Sequence, residues 1–165
     1  MCYHCAVTAP ARPYVVLPGD GDTVRGPAGG PATFKARAET TNGTFTALEN
    51  VIAPGQGPPL HIHIGEDEMY YILAGQVRFK AGEQFFEAPA GSFMFIPRAT
   101  PHCFQNIGAD PARLLVMFTP AGMERFFEGV ARLPAGPVDP QAYRAVAQSA
   151  GMEIVGPALA DDRSR

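Results

Sequence analysis

Between Thr33 and Phe118 the chain is cut into short runs by glycine, proline and asparagine, and inside most runs apolar and polar side chains alternate. Alternation with period two marks a half-buried β-strand, whereas an amphipathic helix needs a period near 3.6, so this stretch is expected to fold as strands. Thr33–Ala38 and Thr44–Ile52 read as a hairpin closed at Thr41-Asn42-Gly43, because Asn and Gly tolerate the positive φ of a tight turn. Gln76–Lys80 and Glu83–Ala88 form a second pair around Ala81-Gly82, and Phe93–Ile96, His102–Ile107 and Arg113–Phe118 follow. The 18 Gly and 17 Pro lie between apolar runs, not in one block. That distribution excludes a helical bundle, and about nine short strands imply an all-β sandwich or barrel.

The ends read differently. Residues 1–32 are rich in Gly and Pro, and only Tyr14–Leu17 is suited to a strand, so a mostly irregular arm is expected before a barrel over 33–119. A helical extension and tail should occupy 120–165. Thr119 can cap a helix with Pro120 at its first position, and Met123, Phe126, Phe127 and Val130 give it one apolar face. Asp139-Pro140 repeats the capping pattern for a helix through Ala150, with Gly151 as its stop. Met152–Val155 is expected to be extended, and the charged tail Asp161–Arg165 disordered.

Charge and cysteine usage narrow the setting. A net charge of −3 without a Lys/Arg cluster argues against nucleic acid as a partner. The apolar run Leu114–Phe118 is far short of the ~20 residues needed to cross a bilayer. The start MCYHCAVTAP lacks a basic leader and a sustained apolar segment, and three cysteines form no disulfide framework, so a cytoplasmic location is expected. Cys2-Tyr3-His4-Cys5 lacks the second pair that would complete a zinc site.

Chemistry is concentrated in Gly55–Gly75. His61 and His63 are one residue apart, so on a strand both point to the same side, opposite Ile62 and Ile64. Gly65-Glu66-Asp67 reads as a solvated turn, after which Glu68, Tyr70 and Ile72 share one face, and a hairpin swings Glu68 back toward the histidines. His102 shares a strand face with Phe104 and Asn106. Two imidazoles on an otherwise apolar face are expensive to bury without partners, and a metal ion supplies that partner.

These residues resemble the two cupin motifs. Gly55, five residues, His61-Ile62-His63, four residues, Glu68, six residues and Gly75 follow the first; Gly91, five residues, Pro97-Arg98-Ala99, two residues, His102, three residues and Asn106 follow the second. One position departs: Ala99 stands where the motif has Gly, which requires Ala to adopt a backbone costing it roughly 1 kcal/mol. The resemblance covers about residues 40–118. It implies a double-stranded β-helix, the cupin jelly-roll barrel, with short C-terminal helices and with His61, His63, Glu68 and His102 as ligands of one divalent transition metal ion. The segments RLLVMFTPAGMERFF and MEIVGP are similar to single-domain bacterial cupins grouped with quercetin 2,3-dioxygenases.

Three neutral imidazoles and a carboxylate leave positions open on a five- or six-coordinate ion, as a catalytic site requires, and they suit Fe, Mn, Ni, Co, Cu or Zn. Glu68 is then either a ligand or the catalytic base toward a substrate hydroxyl. Tyr70, Ile72, Phe93 and Phe104 are the expected pocket wall. The leading expectation is a quercetinase-like dioxygenase acting with O2 on a small aromatic or enediol substrate. Its rivals are a non-redox isomerase, lyase or decarboxylase, and a small-molecule-binding cupin without turnover. Strands around 69–73 and 93–96 are apolar on both faces, so the outer face should be covered by a second subunit, giving a homodimer, or by the C-terminal helices.

Overall fold

The protein is described by a computed structural model covering residues 11–136 and 138–159; Cys2-Tyr3-His4-Cys5 and the tail Asp161–Arg165 lie outside the described residues. In chain order the strands are β1 (Thr23–Arg25), β2 (Pro31–Ala36), β3 (Thr46–Ile52), β4 (Pro59–His63), β5 (Asp67–Ala74), β6 (Gln76–Ala81), β7 (Gln84–Pro89), β8 (Phe93–Ile96), β9 (His102–Asn106), β10 (Ala112–Thr119) and β11 (Met152–Ala158). Three helical segments join them: α1 (Ala38–Thr41), α2 (Glu124–Ala131) and α3 (Pro140–Ser149).

All the pairings are antiparallel and make two sheets, β1-β2-β3-β10-β5-β8 and β11-β4-β9-β6-β7. This is the double-stranded β-helix. The register aligns inward residues across the first sheet: Val116 of β10 faces both Leu48 of β3 and Tyr70 of β5, and Tyr70 faces Met94 of β8. Val77 and Phe79 meet them from the second sheet, and all are buried except half-buried Met94. Burying side chains of this size contributes roughly 1.5–3 kcal/mol each, which is why the alternation dictates the register.

Several local features differ from expectation. The segment 14–17 is not a strand; Tyr14, Val15 and Leu17 stay exposed, while β1 forms further on. The β2–β3 pair forms, but Ala38–Thr41 between them closes into a helical turn, with Asn42 (φ 51°) and Gly43 (φ 76°) ending it in the left-handed region. Asn-Gly therefore acts as a helix stop instead of a two-residue hairpin turn. α2 starts at Glu124, not at Pro120. Thr119 remains in β10 and its hydroxyl donates to the Thr44 carbonyl at 3.0 Å, so it has no free role as a cap. Its expected apolar face, Met123, Phe126, Phe127 and Val130, is buried. For α3, Asp139 accepts from the Gln141 amide at 3.1 Å and Gly151 (φ 79°) follows the C-terminus.

α2 is anchored at both ends. The Glu124 carboxylate, only 4% exposed, accepts from the amides of Ala38 (3.0 Å) and Gly122 (3.1 Å) and from the Thr46 hydroxyl. At the other end Arg25 donates to the carbonyls of Val130 (3.1 Å) and Leu133 (2.7 Å). Burial pushes the Glu124 carboxyl up, but the bonds from Thr46, Ala38 and Gly122 outweigh it and hold the group below its ordinary value. A depressed folded pKa means the stabilisation is present above the unfolded value and lost as pH falls through the folded one. Glu124→Ala is therefore expected to lower unfolding free energy by about 2–4 kcal/mol at neutral pH. In urea titrations its deficit against wild type should narrow below about pH 4; a pH-independent deficit would show that packing, not the carboxylate, is what Glu124 supplies.

Candidate metal centre

Strand geometry brings the four expected ligands together. His61 and His63 project from the same face of β4, β9 lies beside it with His61 opposite His102, and β5 carries Glu68 across from the other sheet. All four side chains are buried, and one ligand atom from each lies within 4.8 Å of the others. The imidazoles are aimed by backbone carbonyls. His61 Nδ1 donates to Pro59 O at 2.7 Å and His102 Nδ1 to Thr100 O at 2.9 Å, which turns each Nε2 toward the cluster.

The corner between β8 and β9 is braced separately. Asp67 accepts from the Arg98 backbone amide (2.9 Å), Nε (2.9 Å) and a terminal nitrogen (3.0 Å), and this pairing pulls the Asp67 carboxyl down. Ala99 does take the left-handed conformation, φ 62°, and its amide donates to the His63 carbonyl at 2.8 Å. That bond ties the corner to β4. Glu66, expected to be solvated, is buried instead, with Oε2 lacking a hydrogen-bond partner. Asn106 is structural: its amide donates to the carbonyls of Ile52 and Asp110 and its oxygen accepts from the Gly108 amide.

Burial and close neighbours set the charges of the cluster. Burial, with His102 and His63 close by, lowers the His61 pKa to about 3, so this imidazole is neutral and keeps a lone pair. Burial pushes Glu68 up, but His63 and His102 outweigh it and hold the carboxylate ionised, well below the usual range. Burial lowers His102, and the bond from Nε2 to Glu68 Oε2 at 2.8 Å more than reverses it. His63 is the informative residue. It is 3% exposed, and although Nε2 lies 3.0 Å from Glu68 Oε2, neither ring nitrogen makes a hydrogen bond of acceptable geometry. A buried polar group left in that state costs about 1–3 kcal/mol, and an ion between His63 and its neighbours would remove the penalty. Three imidazole nitrogens and one carboxylate fit a divalent transition ion.

The cluster opens into a narrow, mainly apolar cavity leaving about 40 Å³ for the centres of water-sized molecules. Tyr70 and Phe104 line it. Ile72 is fully buried in the core and Phe93 is 58% exposed, and neither reaches the cavity wall. The register pairing Tyr70 with Met94 and Glu68 with Ile96 turns Met94 and Ile96 inward, so Phe93 must point out. Sequence reasoning missed Asn50 of β3, Phe118 of β10, Phe126 and Phe127 of α2, and Tyr143 of α3 as cavity residues. The apolar face of α2 was the available signal, but its target depends on long-range packing. Tyr70 stands next to the cluster: burial raises its pKa strongly, and the neighbouring Glu68 carboxylate adds to the rise, so the phenol stays protonated.

Residues 49–118, less than half of the chain, match the cupin domain family, and two apposed antiparallel sheets with three histidines and a glutamate clustered between them are consistent with that match. All four cluster residues lie within that matched stretch. An uncharacterised protein of Methanocaldococcus jannaschii is 36% identical over 74 residues, 44% of this chain and 59% of that protein. The chain therefore spans about three fifths of the length of this curated relative. Among solved structures, KdgF from Halomonas sp. superposes with a TM-score of 0.59 at 16% identity, over 66% of this chain and 94% of that one. A predicted oxalate decarboxylase from Thermotoga maritima gives 0.58 at 22% identity, over 65% and 98%. At these identities the likeness is one of fold.

Because each imidazole is pre-aimed, His61→Ala and His102→Ala are each expected to reduce bound metal by roughly half or more and to lower the melting temperature of the metal-loaded protein. Elemental analysis of protein purified without chelator or affinity metal checks the first effect and thermal unfolding the second; unchanged metal content in both variants would remove the assignment.

Proposed function

We propose that the protein is a metal-dependent dioxygenase that acts with O2 on a small enediol- or phenol-bearing molecule at the His61–His63–Glu68–His102 cluster. The observation that carries this reading is the cavity: a buried nitrogen and carboxylate donor set opening onto aromatic and aliphatic walls, with no Lys or Arg among the described lining residues. Such a lining favours a neutral, planar, enolisable group and O2, itself apolar, over a polyanion or a sugar needing many polar partners. Size narrows it further. One water needs ~10–15 Å³ of such space, so about 40 Å³ takes the hydroxyl-bearing edge of a small ring and not a whole flavonol.

His61, His63, Glu68 and His102 would hold the ion, one of Fe, Mn, Ni, Co, Cu or Zn. A bound ion of this kind acidifies a coordinated hydroxyl and, where redox-active, opens a route for electrons to O2. The protein's own groups do the rest. Glu68, the carboxylate of the cluster, is the proposed acceptor of the hydroxyl proton; because it is held below the ordinary carboxylate range, that transfer depends on the ion acidifying the hydroxyl, and the protonated Tyr70 phenol lies beside it. Phe104, Phe118 and Phe127 pack beside a planar head and exclude water, and Asn50 offers the amide that can orient a substrate oxygen.

Oxygen uptake with catechols and enediols, on protein reconstituted separately with iron, manganese, nickel and cobalt, is the direct test. Glu68→Gln is expected to lower turnover 10²–10⁴-fold, roughly what loss of a general base costs, even where metal is retained. No uptake with any metal would transfer the site to non-redox chemistry or to binding without turnover.

A homodimer is part of the same proposal. Tyr71 (41%), Leu73 (40%), Phe93 (58%) and Phe95 (51%) are exposed on the outer face of the first sheet. The alternative cover is taken up elsewhere: Phe127 of α2 packs on Phe34 and Phe118, whose side chains face inward. A second copy remains to bury the outer face. Light scattering at micromolar concentration should give a dimer mass for wild type and a monomer mass for Phe93→Glu/Phe95→Glu; a monomeric wild type would overturn the assembly.

A further inference from the structure

Two pockets meet at Tyr143 and Pro27. Beside the small cavity at the cluster lies an outer pocket of about 280 Å³, open to solvent and formed by α3, β4, β11 and the loop before β2. Tyr143 and Pro27 line both spaces and are the wall between them. The Tyr143 ring stands edge-on to Phe126, with centroids 5.7 Å apart and planes at 88°, and is half-buried between the two spaces.

The two helices at this wall are held unequally. α2 is fixed at its N-terminus through Glu124 and at its C-terminus through Arg25. α3 has only Ala147 fully buried, and Arg144 donating to the Ile154 carbonyl at 2.8 Å ties it to β11. An element with few buried contacts yields at lower free-energy cost than its neighbours. Opening at this wall should therefore proceed by displacement of Tyr143 and α3 while α2 and the cluster stay in place.

We propose that the outer pocket is a tail subsite of the candidate active site, and that Tyr143 determines which substrates extend into it. The inference rests on the reading of the cluster as the place of a hydroxyl-bearing head. That head occupies the inner cavity, so a part of the substrate that extends toward the outer pocket passes Tyr143. What it meets beyond is Pro59, Val138, Pro140 and Ile154, with Arg144 beside them. This lining takes an apolar tail, an alkyl chain or a second ring, and the substrate class becomes an enediol or catechol bearing such a tail.

The test measures binding without turnover. Catechol, 4-propylcatechol and 4-hexylcatechol are titrated into cobalt-reconstituted protein under anaerobic conditions by calorimetry, with thermal shift as a second readout. Tyr143→Ala is expected to raise the affinity for hexylcatechol relative to catechol about tenfold, because the tail no longer has to displace the ring. Tyr143→Phe keeps the wild-type ratio, and Val138→Trp, which fills the outer pocket, lowers it about tenfold. Should Tyr143→Ala loosen α3, seen by circular dichroism, Tyr143→Leu must still raise the ratio. A ratio unmoved by the Tyr143 truncations and by Val138→Trp overturns the subsite, as does failure of every catechol to bind. Ratios that shift as expected without any oxygen uptake in air uphold the subsite and overturn the dioxygenase reading instead.

Discussion

The structure depends on burying three imidazoles and a carboxylate at the centre of an apolar barrel. Each unpaired polar group there would cost about 1–3 kcal/mol, so every part of the surrounding backbone that touches the cluster is arranged to limit that cost. The Pro59 and Thr100 carbonyls each take one imidazole proton, and Glu68 accepts from His102. Of the three histidines, His63 alone has neither ring nitrogen satisfied. An ion beside His63 Nε2 would give that nitrogen the partner it lacks.

That arrangement needs strands at fixed heights, and the fixing is done at the corners. β4 and β9 are matched through the His61–His102 pair, and the Ala99 amide ties the turn before β9 to the carbonyl of His63 itself. Ala99 accepts a left-handed φ of 62° for this contact, a strain of roughly 1–2 kcal/mol. The Asp67–Arg98 fork, next to Glu68 in the chain, locks the same corner from β5. Ligand geometry and turn geometry are thus one system, in which a slip of one residue would turn both histidines of β4 outward.

Much of this was legible in the residues, and what was not has physical reasons. Period-two alternation located the barrel strands, since one-sided burial forces it, and His61, His63, Glu68 and His102 stood out because polar residues had been placed on the inward face. Phe93 was misplaced because FMFI is apolar on both faces: only pairing with β5 shows that Met94 and Ile96 face in. Thr119-Pro120 carried a valid capping signal, overridden because the hydroxyl is engaged by Thr44 at the end of β10. Asn42-Gly43 likewise carried a turn signal that a short helix used as its stop. The inner wall from α2 and α3 could not be read at all. An apolar helix face says that something must be covered, and where it lies is decided by Glu124 and Arg25, which reach across more than 75 residues of sequence to hold α2.

The way α2 is anchored also governs what chemistry the cluster can reach. Met123, Phe126 and Phe127 close the cavity beside the histidines, and the Glu124 and Arg25 bonds make that closure rigid. Rigid apolar closure excludes water from Glu68, strengthening each electrostatic contact there and limiting the space to a small head. The walls of that cavity are not equally fixed. Tyr143 rides on a helix with a single fully buried residue, and beyond it lies a pocket several times larger. On the proposed reading the barrel and α2 would set the reactivity of the head, and the looser α3 would decide how much else can come with it.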